Sequence, residues 1–591
     1  MANEYSAIIY GINGPVVYVK GATDFKMGEM VYVGEEKLVG EIISLSSEKT
    51  TIQVYEETSG LKPGDKVTGA GTAIFVTLAP GIINNIFDGI QRPLKGIADK
   101  SGIYISKGIS ISSLDDEKKW PAHITIKEGE HIDGGTIVAE VKETTSIVHK
   151  SMLPPYISGT VTSVAKDGDY TINDTIATLK LANGGTFNVT LSQKWPIRNP
   201  RPCKKRHPSS VPLITGQRII DTLFPIAKGG TAAIPGGFGT GKTMSQHQIA
   251  KWSDADLIIY IGCGERGNEM TEVLEDFSKL VDPKSGNPLM ARTTLIANTS
   301  NMPVAAREAS IYTGITLAEY YRDMGYHVAI MADSTSRWAE ALRELSGRLE
   351  EMPAEEGFPA YLASKLSAFY ERAGYVTNLN GTEGSVSIIG AVSPQGGDFS
   401  EPVTQNTKRF VRCFWGLDKS LAYSRHFPAI HWLTSYSEYL SDLSQWYIEN
   451  VSDDFISYRN EILAILNQES SLMEIVKLIG SDVLPDDQKL TLEISRVIRL
   501  GFLQQNAFHK DDTCVSLEKQ LLMMRTILYL NARCKSLISQ GMPISILKET
   551  NIFDKVIAMK YDIPNDRLEL FDNYTKMIDD FHDEIIIKNG Q

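Results

Sequence analysis

A glycine-rich stretch at residues 236–243 has the residue types and spacing to bind phosphate. It reads GGFGTGKT and matches the pattern G-x-x-x-x-G-K-[ST], in which backbone N–H groups converge on phosphate oxygens. The Lys242 ammonium would carry positive charge to the β- and γ-phosphates, and the Thr243 hydroxyl is a ligand for Mg²⁺. The predicted phosphate-binding residues are Gly236, Gly237, Phe238, Gly239, Thr240, Gly241, Lys242 and Thr243. The alternative is a glycine-rich structural turn.

A carboxylate that holds Mg²⁺ is expected at the end of a buried strand. Residues 327–334 read HVAIMADS, so an apolar run ends at Asp333. This pattern predicts that Asp333 binds Mg²⁺ through water molecules. Asp333 could also belong to a helix N-terminal cap, because Ser334, Thr335 and Ser336 lead into a helical stretch. The two roles are compatible.

A group that activates water is the third requirement for hydrolysis. The apolar run DLIIYIGC at residues 256–263 leads directly into GERGNE at residues 264–269. Ligands of open α/β sheets gather at the carboxyl ends of the strands, so we predict that Glu265 orients or deprotonates water. Arg266 would neutralise phosphate charge or brace Glu265. The alternative is a surface Glu–Arg pair, worth under about 1 kcal/mol.

A nucleotide base needs a flat apolar slot, and two phenylalanines are candidates for its walls. Phe427 lies in RHFP at residues 425–428, and Phe508 lies in QQNAF at residues 504–508. Composition alone favours core packing for both residues.

The hydrophobic pattern changes along the chain and predicts the elements that position these residues. Residues 1–74 show short alternating strands between Gly and Pro turns, which favours a small β-barrel. Residues 75–109 form a connector, and residues 110–195 a second, inserted β-rich module. Residues 196–435 alternate buried apolar runs with helices, which predicts a parallel sheet covered on both faces. Residues 436–591 read as helical, with Phe455, Tyr458, Ile462 and Ile465 on one face.

Composition excludes several classes of function. The net charge of −13 argues against a sequence-independent nucleic-acid binder. No run of about 18 apolar residues is present, and the N-terminus lacks a signal-peptide pattern, so we expect an intracellular protein without a membrane span. Five scattered cysteines, without a C-x-x-C pair, predict neither a disulfide framework nor a zinc site.

Long stretches of the chain resemble the catalytic A (alpha) subunits of V-type and A-type rotary ATPases. The likeness covers nearly the whole chain up to about residue 511. It rests on residues 55–61 (YEETSGL), 87–94 (FDGIQRPL), 214–221 (ITGQRIID), 262–270 (GCGERGNEM), 297–313 (ANTSNMPVAAREASIYT), 331–353 (MADSTSRWAEALRELSGRLEEMP), 400–407 (SEPVTQNT) and 503–508 (LQQNAF). The insert is similar to the bulge that distinguishes these subunits from the F-type β subunit. The implied fold is multidomain α/β, with a β-barrel, a bulge module, a RecA-like P-loop core and a C-terminal helical domain.

The resemblance implies a role for each matching residue. Lys242 and Thr243 match the phosphate-binding lysine and the Mg²⁺-binding hydroxyl, and Asp333 matches the Mg²⁺-binding aspartate. Glu265 matches the catalytic glutamate, and Arg266 the adjacent phosphate-side arginine. Phe427 and Phe508 match the adenine walls, which reverses the preference for core packing.

Two positions depart from the family pattern. Gly237 stands where many relatives have proline. Thr240 stands where eukaryotic relatives have a cysteine, so we expect no disulfide switch at this loop.

The resemblance further implies a cofactor, a substrate and partners. These are Mg²⁺, ATP or ADP with phosphate, B subunits that alternate with copies of this chain in a hexameric ring, central-shaft and peripheral-stalk subunits, and indirectly a membrane sector that moves H⁺ or Na⁺. The expected location is the cytoplasmic face of a membrane. Two alternatives are another hexameric P-loop motor, of the Rho or secretion-ATPase kind, and a non-catalytic nucleotide-binding subunit.

Overall fold

The computed structural model describes residues 5–21, 24–102, 105, 107–109 and 111–589. The chain divides into two compact parts, each described by itself below. The first part comprises residues 1–208, 228–231 and 255–411, and the second part comprises residues 209–227, 232–254 and 412–591. The predicted nucleotide-binding core is therefore shared between the two parts. None of the described helices combines the length and apolar character needed to cross a membrane.

The first part begins with the predicted β-barrel. Six antiparallel strands close it in the order β1-β2-β5-β4-β3-β6, and its interior is filled by apolar side chains such as Val17, Val31 and Ile52. The strands are β1 (Ser6–Asn13), β2 (Val16–Lys20), β3 (Glu29–Val33), β4 (Leu38–Leu45), β5 (Lys49–Val54) and β6 (Lys66–Ala73).

The inserted β-rich module consists mainly of two four-stranded sheets. One sheet has the order β10-β13-β15-β16 and the other β12-β11-β9-β14, and β7 pairs with β17 beside them. The elements from the barrel to the end of this module are β7 (Phe75–Leu78), β8 (Ile86–Phe87), α1 (Leu94–Ser101), β9 (Trp120–Ile124), β10 (His131–Ile132), β11 (Ile137–Lys142), β12 (Val148–Met152), β13 (Gly159–Val164), β14 (Gly168–Tyr170), β15 (Ala177–Leu181), β16 (Thr186–Val189) and β17 (Gln193–Pro196).

A parallel sheet with the order β24-β22-β20-β21-β8 forms the core of the first part, and antiparallel β23 and β18 extend it. Its central strands are buried on both faces, which explains their continuous apolar sequences. The elements are β18 (Lys205–His207), β20 (Leu257–Cys263), α3 (Gly267–Lys279), β21 (Thr293–Asn298), α4 (Val304–Asp323), β22 (His327–Asp333), α5 (Thr335–Arg348), α6 (Leu362–Tyr370), β23 (Gly374–Thr377), β24 (Glu383–Val392) and α7 (Pro402–Phe410).

The second part combines a short strand cluster with the predicted helical domain. Strand β19 pairs in parallel with β25, and β25 pairs with β26. In α10, Phe455, Ile462 and Ile465 of the predicted helix face are buried, whereas Tyr458 is only partly buried. The elements are β19 (Thr231–Pro235), α2 (Lys242–Trp252), β25 (Cys413–Phe414), α8 (Lys419–Tyr423), β26 (Tyr436–Ser437), α9 (Leu440–Asn450), α10 (Phe455–Ile479), α11 (Asp486–Val497), α12 (Leu517–Ser539), α13 (Ile544–Glu549), α14 (Ile552–Asp562) and α15 (Phe571–Asn589).

Candidate active site

The glycine-rich loop lies between a buried strand and a helix, as the motif requires. Strand β19 is buried along its whole length. It is held beside β25 by backbone hydrogen bonds from Trp415 N to Ala233 O and from Leu417 N to Pro235 O, both 2.9 Å long. Helix α2 begins at Lys242, directly after the loop. The dipole of α2 favours negative charge at this end of the helix.

Two glycines of the loop are required by their surroundings. Gly241 has a left-handed backbone with φ of 90°, and a Cβ on it would lie 2.6 Å from Cε1 of Phe427. A Cβ on Gly236 would lie 2.5 Å from Oγ1 of Thr240 and 2.8 Å from Cβ of Leu417. Only glycine fits at both positions, and the loop contacts the Phe427 ring directly.

The Lys242 side chain folds back over the loop that precedes it. Its Nζ donates hydrogen bonds to the carbonyl oxygens of Gly236 at 2.8 Å and Gly237 at 3.1 Å. The buried Thr240 hydroxyl donates to the same Gly237 oxygen at 2.8 Å. In contrast, Phe238 at the tip of the loop is 84% exposed. The ammonium is thus fixed above the loop backbone, where phosphate oxygens would meet it.

A cavity of about 690 Å³ lies beside the start of α2 in the second part. Phe427 and Phe508 both line it, and both are exposed for aromatic residues, at 37% and 91%. They are not core residues, so the structure disagrees with the composition-based alternative. The cavity is lined by Gln217, Ile220, Met244, Ser245, Gln248, Arg425, Phe427, Pro428, Ile430, Gln504, Gln505, Asn506, Ala507, Phe508 and Tyr561.

A buried arginine that sequence reasoning missed supports one wall of this cavity. Arg218 is fully buried and donates from Nε to the carbonyl oxygen of Phe502 at 2.5 Å and from Nη2 to that of Gln504 at 2.8 Å. Its Nη1 lies 2.5 Å from Oδ1 of the equally buried Asp512. Asp512 in turn accepts a hydrogen bond from Asn506 N at 2.7 Å. These contacts fix the segment that ends at Phe508.

The predicted carboxylates lie in the first part, at the carboxyl ends of neighbouring parallel strands. Gly262 of β20 is in register with Asp333 of β22, and Glu265 follows β20 by two residues. Asp333 is 4% exposed, and its Oδ2 accepts a hydrogen bond from the Tyr260 hydroxyl at 3.1 Å. Ser334 is the cap of α5, accepting from Arg337 N at 3.4 Å, so the cap belongs to Ser334 and not to Asp333.

The electrostatic environment of Glu265 favours its protonated form. Burial raises the pKa of Glu265 to about 8, and the Asp333 charge and a hydrogen bond with Glu269 contribute further, while the Arg337 charge lowers it. Beside burial, the negative charges of two neighbouring carboxylates, Asp333 and Glu269, therefore oppose ionisation of Glu265. A raised carboxyl pKa of this kind is characteristic of functional sites.

The turn that carries Glu265 is fixed by its backbone. Gly264 has φ of 72° and donates from N to Asn298 O at 2.7 Å, and Ser300 N donates to Glu265 O at 2.9 Å. Asn298, the last residue of β21, is 1% exposed. Neither amide atom of its side chain has a hydrogen-bond partner within the described part of the chain. Asn298 therefore places a buried polar side chain beside the Glu265 turn, and no sequence pattern indicated this role.

The structure thus brings the predicted site residues together in two sets. The phosphate loop lies with Phe427 and Phe508 in the second part, whereas Glu265 and Asp333 lie with Arg266 in the first part. Arg266 is exposed and directly precedes α3. Sequence reasoning missed residues that surround these sets, namely Arg218, Glu269, Asn298, Arg337 and Tyr561.

Comparison with protein families defines the class of protein to which this fold and site belong. The nucleotide-binding domain of the ATP synthase alpha/beta family matches residues 216–437, and its beta-barrel domain matches residues 9–71. The barrel-sandwich domain of the alpha/beta subunits matches residues 111–198. The C-terminal domain of V and A type ATP synthases matches residues 444–546.

Individual relatives show to which types of ATP synthase the chain is similar. The V-type ATP synthase alpha chain 2 of Clostridium tetani is 60% identical and covers 98% of both chains. The V-type ATP synthase alpha chain of Halothermothrix orenii is 58% identical over 97% of this chain and 98% of its own. The corresponding chain of the A-type ATP synthase of Methanopyrus kandleri is 55% identical over 99% of both. The chain therefore belongs to the family of V-type and A-type ATP synthase alpha (A) subunits, and it is the catalytic subunit of a rotary ATPase.

A more distant likeness concerns the fold alone. The assembled ATPase EscN from the type III secretion system of enteropathogenic E. coli is 20% identical, with a TM-score of 0.62 over 88% of this chain and 99% of that chain. The predicted family and fold class are confirmed by these findings, whereas the roles of individual site residues stay predictions.

Proposed function

We propose that this protein binds Mg²⁺ and ATP and transfers the terminal phosphoryl group to water, or runs the same reaction in reverse. The base would occupy the cavity lined by Phe427 and Phe508, and the phosphates the loop at residues 236–243. The observation that carries the proposal is the pair of carboxylates, Glu265 and Asp333, at the carboxyl ends of neighbouring strands. Ligands of α/β sheets bind at this edge.

The residues present fit a Mg²⁺ ion. Magnesium prefers oxygen ligands and keeps much of its water shell, and a buried carboxylate and a hydroxyl supply such ligands. Burial is the main cause of the raised Glu265 pKa, and a divalent cation would compensate the Asp333 charge that adds to it. Thr243 and Asp333 are the residues that would hold it. When bound, Mg²⁺ neutralises charge that develops on the phosphate oxygens.

The remaining chemistry is assigned to this chain's own side chains. Lys242, already fixed above the loop backbone, would exchange its carbonyl contacts for phosphate oxygens. Compensation of the Asp333 charge would lower the pKa of Glu265, which favours the carboxylate form that accepts a proton from the attacking water. Arg266 would offset phosphate charge on the side of α3.

Family membership places the chain in a multisubunit ATP synthase. We propose that three copies alternate with three B subunits, and that an arginine from the neighbouring B subunit completes the transition-state charge balance, as arginine fingers do. The helical domain would transmit opening and closing of the nucleotide site to a central shaft. Peripheral-stalk subunits would be further partners of the ring. The shaft would drive H⁺ or Na⁺ transport in a membrane sector, which keeps this chain on the cytoplasmic face of the membrane.

Turnover of the assembled complex tests this proposal. The chain alone should hydrolyse MgATP far more slowly than its complex with B subunits, because the trans arginine is missing. Equal rates would refute the shared site. A lack of turnover in the complex would support a non-catalytic role, and RNA-stimulated turnover would support a Rho-like motor. With the membrane sector added, dependence of turnover on Na⁺ or on a pH gradient identifies the ion.

A further inference from the structure

Helix α14 of the C-terminal helical domain reaches the cavity assigned to the base. Its Tyr561 lines that cavity together with Phe427 and Phe508. The Tyr561 ring also packs against His509, with the ring centroids 4.8 Å apart and the planes tilted by 56°. Because His509 directly follows Phe508, the tyrosine supports the tip of the base-binding segment as well as facing the cavity.

Tyr561 does not serve the hydrophobic core of its own domain. The core face of α14 is formed by Phe553, Val556 and Met559, whose exposures are 2%, 0% and 0%. Tyr561 is 39% exposed and lies outside this face. An aromatic ring that is partly exposed and lines a cavity is accessible to a ligand bound in that cavity.

Lys560, the residue before Tyr561, is hydrogen-bonded to the segment that leads to Phe508. Lys560 is 3% exposed, and its Nζ donates to Leu500 O at 2.6 Å, to Gln504 O at 3.2 Å and to Gln504 Oε1 at 3.3 Å. Burial lowers the pKa of Lys560 to about 8. A buried ammonium is costly unless hydrogen-bonded, so these carbonyl contacts hold the segment against α14.

We propose that Tyr561 is a third aromatic wall that contacts the purine base of the nucleotide, and that Lys560 is a positioning residue for the segment carrying the wall at Phe508. The inference rests on the proposed function, since it assumes that the cavity takes the base. Its consequence is that base affinity depends on the position of α14. The helical domain and the base would then be coupled directly, without passing through the phosphate loop.

Steady-state kinetics of the assembled complex test this inference. Tyr561→Ala should raise the KM for MgATP about tenfold, equivalent to about 1.4 kcal/mol and within the range for base–aromatic stacking. The kcat should stay within about twofold, and Tyr561→Phe should behave like wild type. Magnesium tripolyphosphate, which has no base, should inhibit all three proteins with the same inhibition constant. An unchanged KM in Tyr561→Ala would overturn the inference, as would an equal loss of tripolyphosphate affinity.

The positioning role has its own variants. Lys560→Met should raise the KM for MgATP with little change in kcat or in tripolyphosphate inhibition, whereas Lys555→Met, at an exposed position of the same helix, should change none of these. A kcat loss without a KM change would overturn the positioning role.

A fluorescence measurement avoids reliance on kinetics. The indole emission of Tyr561→Trp, measured as a difference from wild type, should change on adding MgATP and not on adding magnesium tripolyphosphate. If MgATP binds without changing that emission, the wall assignment is wrong. If wild type fails to bind MgATP, it is the proposed function that fails.

Discussion

Replacing Gly241 by alanine is expected to destabilise the nucleotide-free protein and to displace the Phe427 ring. The left-handed backbone, with φ of 90°, costs an alanine about 1–2 kcal/mol. The new Cβ would also lie 2.6 Å from Cε1 of Phe427, an overpacked contact that costs about 1–3 kcal/mol. Because Phe427 is 37% exposed and can move partly aside, we expect about 2–3 kcal/mol in total. The midpoint of thermal unfolding should fall by about 5–10 °C.

Two further variants isolate the contact with Phe427. Gly239→Ala places a Cβ at φ of 75° with nothing within 4 Å, so it carries only the backbone cost of about 1–2 kcal/mol and should lower the midpoint by about 2–6 °C. The double variant Gly241→Ala with Phe427→Ala should lose about 1–3 kcal/mol less free energy of unfolding than the sum of the losses of the two single variants. Equal losses of stability for the two glycine variants, or strict additivity in the double variant, would refute the energetic importance of the contact between Gly241 and the Phe427 ring.

Three other predictions follow from individual groups. Asp333→Asn should abolish the increase in ATP affinity that Mg²⁺ gives wild type, as measured by nucleotide titration with and without EDTA; an intact increase would contradict the assignment. Arg198→Met leaves the buried Glu41 and Glu308 carboxylates without their shared partner. It should lower the free energy of unfolding, measured by urea unfolding, by about 3–5 kcal/mol. Adding Glu41→Gln and Glu308→Gln to this variant should restore much of the lost stability. Burial lowers the pKa of His149 from 6.5 to about 3, so stability is present above pH 6.5 and falls by up to about 1.4 kcal/mol per pH unit below it. His149→Gln should flatten this pH dependence of the free energy of unfolding. An unchanged slope below pH 6.5 would contradict the assignment of the pH dependence to His149.

The two strands that position Glu265 and Asp333 were predictable from local sequence, because each is a continuous apolar run that leads directly to its carboxylate. The apolar runs before Glu265 and Asp333 are strands β20 and β22, and their parallel pairing sets Asp333 beside Gly262. The raised pKa of Glu265 was not predictable in this way. It depends first on burial and on the Asp333 charge, both of which arise only on folding, and Glu269 on α3 raises it further while Arg337 lowers it.

The proposed base pocket was less predictable from local sequence. Composition alone favours core packing for Phe427 and Phe508, and only the resemblance to a family predicts that they face a ligand. Tyr561 lies beyond the region where that resemblance is clear, and helical spacing in α14 does not distinguish a cavity wall from a core residue. The exposed position of Tyr561 beside His509 is a property of the folded chain alone.

The most direct test of the account is the turnover of Glu265→Gln in the assembled complex, measured together with equilibrium MgATP binding. The proposed phosphate and base contacts do not involve this side chain, so binding should stay within about threefold, whereas loss of the proposed water-activating carboxylate should lower kcat by at least about 100-fold. Glu272→Gln, an exposed position on α3, is the matched control and should behave like wild type. A kcat for Glu265→Gln within about twofold of wild type would contradict the central claim.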